Sequence, residues 1–177
     1  MSFFEMLQDP HSRHAMLVHF PIVLVFVGVV LLMILGARKF RPKGLKVGVA
    51  GCFLAASLGA AAAASAGEDA EDRVEGSAAM TPAAKAVFEE HEELGENGWI
   101  WPLIPAGLVL VSLVPRRGLE IGAGALALAG ALGVAVWVGK TAHAGGELVY
   151  VHGVGVPGPG ATAGEVQAPN PARDDDD

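Results

Sequence analysis

Four long stretches of this chain contain no charged side chain, and they decide what it can fold into. They run from about 16 to 36, 47 to 65, 99 to 114 and 121 to 139. Each approaches the roughly 17–25 residues a helix needs to cross about 30 Å of hydrocarbon. A transmembrane strand needs only about 10 residues and alternates in polarity, which these stretches do not. Hydrophobic residues make up 52% of the 177-residue chain and charged residues 18%, against roughly 45–50% and 25% in soluble domains. The expected fold is therefore all-α, an integral membrane four-helix bundle with helices over about 16–36, 47–65, 99–114 and 121–143, and the lipid bilayer as its first partner. An N-terminal segment, 1–14, precedes the 15–156 transmembrane domain. The tail, 157–177, is rich in Pro, Gly and Asp and should be disordered. The start of the chain is acidic and carries histidine before its apolar run, with no small-residue cleavage site after it, so the first helix is expected to be retained.

Basic residues give the expected orientation. Arg38, Lys39, Arg41, Lys43 and Lys46 lie between the first two helices, and Arg116 and Arg117 between the last two. The positive-inside rule makes both connections cytoplasmic and both termini external, as in a bacterial inner membrane. All carboxylates except Glu120 then fall outside. That excess, within a net charge of −7, argues against nucleic acid as a partner. Solvated acids are the simpler account of it, and docking of a basic soluble protein the alternative.

On this topology all six histidines, His11, His14, His19, His91, His143 and His152, are on the outer side. Two stand in patterns. Thr81-Pro82 reads as a helix start and Gly95 as the residue past its end. On that short amphipathic helix in the outer loop, Ala84, Val87, Phe88, His91 and Leu94 form one stripe, so His91 should point inward with Glu89, Glu90, Glu92 and Glu93 on the wet side. In the fourth helix Ala123, Ala127, Ala131, Ala135 and Gly139 recur every four residues, and His143 is the next member. Such rows let membrane helices approach closely, and this one is expected to turn His143 toward the bundle interior. Gly51, Ala55, Gly59, Ala63 and Gly67 form a similar row in the second helix. His19 lies at a depth similar to His143, just before Pro21.

Catalysis by these histidines finds little support. The single cysteine, Cys52, rules out an intrachain disulfide, a CxxCH haem attachment and cysteine-held clusters. No HExxH is present, and the inner halves of the helices lack the ionisable groups a proton or ion path requires. Ligation remains. Two histidines from facing helices can hold a haem iron from opposite sides, whereas a mononuclear metal needs three or four converging ligands. His19 and His143 are the candidate axial ligands of a b-type haem; His14, His91 and His152 are the alternatives. A transition metal ion is the alternative cofactor, and a structural or assembly subunit without a cofactor the alternative function.

The segment His14 to Pro21 with its HFP, the His91 helix, and HAGGELVYVHGVGV over 143–156 together resemble the four-helix membrane family catalogued as domain of unknown function 2231, across about residues 10–156. The resemblance carries no settled activity. It singles out His14, His19, His91, His143, Gly145, Gly146, Tyr150 and His152 as matching positions, and relatives joined to Rieske or cytochrome c domains imply an electron-transfer setting. The combined expectation is a membrane redox subunit, more an electron-transfer or accessory subunit than a stand-alone enzyme. It would exchange electrons on the outer face with a membrane redox complex, a periplasmic carrier or a quinone.

Overall fold

A computed structural model describes residues 3–156 of the chain, so the tail beyond 156 lies outside the described residues. The described chain is helical, with no strand among its residues: α1 (Phe3–Gln8), α2 (Pro10–Leu17), α3 (His19–Ala37), α4 (Lys43–Glu75), α5 (Pro82–Glu96), α6 (Leu103–Val111) and α7 (Arg117–Tyr150), with a 3₁₀ turn at Gly98–Ile100. Three helical spans are long and apolar enough to cross a membrane: Pro10–Ala37, Lys43–Glu71 and Arg117–Tyr150.

The third apolar stretch differs from the expected continuous span. It divides into the 3₁₀ turn, a turn at Trp101–Pro102 and the nine residues of α6, which at 1.5 Å per residue cover about 14 Å. Pro102 and Pro105 are the physical reason, because each lacks the N–H that would continue a helical ladder. The segment is instead pinned to α4. Ser57 Oγ donates to the Trp99 carbonyl at 2.6 Å, and Lys46 Nζ donates to the Ser112 carbonyl at 2.6 Å.

Small residues set the packing. Gly28 of α3 faces the Phe53 ring of α4, and a Cβ there would stand 2.8 Å from that ring. Gly124 of α7 likewise leaves room for Phe40. The main core joins Val29, Leu32 and Leu35 to Val49 and Phe53, to Val109, and to Ala127 and Ala131. Pro21 packs onto α4 at Gly59, where a Cβ would be 3.2 Å from the proline Cδ. That contact accounts for the HFP segment locally: the proline also lacks the N–H of its turn.

The two ends of the bundle are chemically distinct. At the basic end, Arg117 donates to the Lys39 carbonyl at 2.8 Å, fixing a loop in which Lys39 and Phe40 have φ of 54° and 57°, a region non-glycine residues seldom occupy. At the other end, α2 packs on α4 and α5 on α7. After α7 the chain turns back so that Val154 is buried with Val74, Ala84 and Leu148. Gly153 and Gly155 make this turn with φ of 70° and 75°, and Gly155 lies against the His11 ring. The N-terminal helices and the end of α7 therefore share one end, hereafter the histidine end.

Candidate functional site: a pair of histidines seated on helix carbonyls

The structure brings together His14 and His91. Their ring centroids are 6.2 Å apart, with planes at 86°. His14 comes from α2, whose start is capped by Asp9 accepting from the Ser12 N–H at 2.8 Å, with Pro10 at the first helical position. Arg13, beside His14, ion-pairs with Asp69 of α4 and holds α2 along that helix. His91 comes from α5, capped by Thr81, whose Oγ1 accepts from the Ala84 N–H at 3.2 Å. This helix buries Ala84 and half-buries Val87, Phe88, His91 and Leu94, while Glu89, Glu90, Glu92 and Glu93 stay exposed.

The two histidines are seated in the same way. His14 Nδ1 lies 2.8 Å from the Ala63 carbonyl, and Gly67, four residues on along α4, faces the ring, where a Cβ would stand 3.1 Å from Nδ1. His91 Nδ1 lies 3.0 Å from the Thr141 carbonyl, and Gly145, again four residues on, faces the ring, where a Cβ would stand 2.9 Å from Cε1. A helix carbonyl already accepts from the N–H four residues later, and its second lone pair is normally screened by that residue's side chain. Glycine at that position uncovers the carbonyl. Each imidazole uses the opening.

This seating fixes the proton. A carbonyl can only accept, so each Nδ1 donates, and in a neutral imidazole the proton on Nδ1 leaves Nε2 as a bare lone pair. Neither Nε2 has a hydrogen-bond partner among the described residues. Burial holds the His91 imidazole below its ordinary range; the Thr141 bond works the other way, and neighbouring His14 adds to the lowering. At neutral pH the ring is therefore uncharged and able to donate its lone pair.

The other expected site residues are elsewhere. His143 does not face the interior: its side chain is 84% exposed, with Nε2 3.9 Å from Glu147 Oε2. The small-residue row misleads because four residues advance about 400° in a helix, so the row turns about 40° per step. Ala123, Ala127 and Ala131 are buried, Ala135 is half-buried, and Gly139 is exposed, so the row has left the interior before it reaches His143. The α4 row turns too, from exposed Gly51 and Ala55 to buried Ala63 and to Gly67 beneath His14. His19 is exposed on α3, with Nδ1 2.7 Å from the Ala15 carbonyl of the preceding turn. His152 is half-buried in the turn after α7, Gly146 has open space where a Cβ would be, and Tyr150 is 90% exposed. The signal that sequence reading missed is the spacing of carbonyl and glycine, Ala63 with Gly67 and Thr141 with Gly145.

Among the described residues, no group of three or more His, Cys, Asp or Glu side chains could hold a metal ion. No curated protein and no solved structure matches the chain. A family match does cover residues 10–158, a span reaching from α2 through the glycine turn after α7 and including both seated histidines with the glycines beneath them. By that match the chain belongs to the family described as predicted membrane protein (DUF2231).

Proposed function

We propose that this protein is a membrane redox subunit in which His14 and His91 hold the iron of a b-type haem at the histidine end. The observation that carries the reading is the pair itself: two imidazoles 6.2 Å apart, each with Nδ1 committed to a helix carbonyl. Two imidazoles on opposite sides of one metal, each bonded at about 2 Å, have ring centroids roughly 6 Å apart. Carbonyl-bonded Nδ1 with bare Nε2 is also the orienting arrangement that ligating histidines use. A pair suits haem better than a bare ion, because the macrocycle supplies four of the iron's ligands. When bound, the haem would supply one-electron transfer. His14 and His91 would orient it, and a carrier or quinone at the same end would exchange the electron.

In this reading Gly98–Val114 is a short fourth crossing, and the histidine end faces the outside of a bacterial cytoplasmic membrane, as the basic residues at the opposite end favour. The experiment is to purify the full chain from cells supplied with ample haem and record oxidised and reduced absorption spectra beside metal analysis. A Soret band near one haem per chain is the expected result. Stoichiometric non-haem metal would replace the cofactor. Neither band nor metal would leave the second reading, which the two carbonyl bonds favour by themselves: histidines that clamp α2 to α4 and α5 to α7 in a structural or assembly subunit.

A further inference from the structure

A second polar site flanks the seat of His91. A groove of about 380 Å³ between α5 and α7 is lined by Glu90, Val136, Gly139, Lys140, His143, Ala144 and Glu147. Two of these side chains are bases and two are carboxylates, with His143 Nε2 and Glu147 Oε2 3.9 Å apart. No charged residue lies between Glu120 and Lys140 on α7. The nineteen residues from 121 to 139 rise about 28 Å, close to the roughly 30 Å hydrocarbon thickness. Lys140 therefore stands at headgroup level. Val136, 64% exposed, and Gly139 carry the groove down into the acyl region.

We propose that this groove binds a zwitterionic phospholipid whose headgroup ends in a primary ammonium. Its phosphate meets Lys140 and His143, its ammonium meets Glu90 and Glu147, and its acyl chain runs over Gly139 and Val136. The mixed charge selects the lipid. A glycerol headgroup can offer the two carboxylates only neutral hydroxyl hydrogen bonds and no cation, and a trimethylated ammonium has no N–H to donate to them. The groove adjoins the seat of His91, with Glu90 beside that residue and Ala144 beside Gly145, yet it uses neither His14 nor His91 and does not depend on what that pair binds.

The test is native mass spectrometry of the full chain released from bilayers of equal parts phosphatidylethanolamine, phosphatidylglycerol and phosphatidylcholine. Phosphatidylethanolamine should be the retained lipid. Lys140→Gln and the double change Glu90→Gln with Glu147→Gln should each reduce its retention about two- to fivefold, the size expected of exposed ion pairs, while Glu93→Gln, outside the groove, should not. Equal retention of phosphatidylcholine, stronger retention of phosphatidylglycerol, or indifference to the Glu90 and Glu147 changes would each overturn the proposal. Circular dichroism of every variant separates loss of lipid from loss of fold.

Discussion

The two ends of the bundle handle buried polar groups in opposite ways. At the basic end Lys46, 1% exposed, spends its ammonium on the Ser112 carbonyl at 2.6 Å and Glu120 Oε1 at 3.1 Å, while Arg117 takes Glu120 Oε2 at 3.1 Å and the Lys39 carbonyl. Four parts of the chain are tied there, and two cations share the one Glu120 carboxylate. At the histidine end each ring commits one nitrogen to a carbonyl and keeps the other bare. A buried ion pair loses much when one partner goes, because the remaining charge is stranded. A seated imidazole loses only a neutral hydrogen bond. The basic end is built as a fastening, and the histidine end as a pair of oriented donors.

Breaking the basic end should therefore have the largest effect on stability. Glu120→Gln takes the carboxylate away from the buried Lys46 ammonium, which keeps only the Ser112 carbonyl, and should lower the melting temperature by roughly 5 °C in detergent, without moving any spectrum that arises at the histidine end. An equal loss from His14→Ala would erase the distinction between the ends.

Next comes the seat itself. Gly145→Ala places a Cβ against the His91 ring and should push the imidazole off the Thr141 carbonyl, costing about 1–3 kcal/mol. Gly146→Ala meets open space and should be neutral. Chemical denaturation of the two single variants checks this, and similar values for both would mean the ring is not seated on that glycine.

In protein prepared without haem, the histidine end should also respond to acid. Burial lowers the His91 pKa from its ordinary 6.5, so below 6.5 the unfolded or undocked chain binds the proton more readily than the docked one. Docking of α5 is then fully stable above pH 6.5 and weakens as pH falls through that value toward the depressed folded pKa. Hydrogen exchange of α5 amides should speed up between pH 7 and pH 5 after correction for intrinsic rates, and His91→Gln should remove most of the change. The smallest effect belongs to His143→Ala, an exposed position, expected within about 0.5 kcal/mol of wild type.

Sequence carried much of this architecture because hydrocarbon thickness is a hard constraint. Three uncharged runs became long helices, and the inward placement of His91 followed from its spacing with Ala84, Val87 and Phe88. The interrupted third stretch was visible in Pro102 and Pro105, but apolarity outweighed them in a reading based on length. The site was less legible. A row of residues spaced by four is straight on paper and winds around a real helix, so Gly67 arrived beneath His14 while His143 left the interior. Pairing His14 with His91 needed two distant contacts, α2 on α4 and α5 on α7, that no local pattern encodes.

If the His14–His91 pair, and not the exposed histidines, holds the cofactor, single variants will separate the two sets. Absorption spectra of haem-supplied wild type, His14→Ala, His91→Ala and the double variant His19→Ala with His143→Ala test it directly. Wild type and the double variant should show a six-coordinate low-spin spectrum, and His14→Ala and His91→Ala should each show a high-spin or lost spectrum, with folding retained in all four. A haem spectrum abolished by the His19 and His143 changes but untouched by those at His14 and His91 would contradict it.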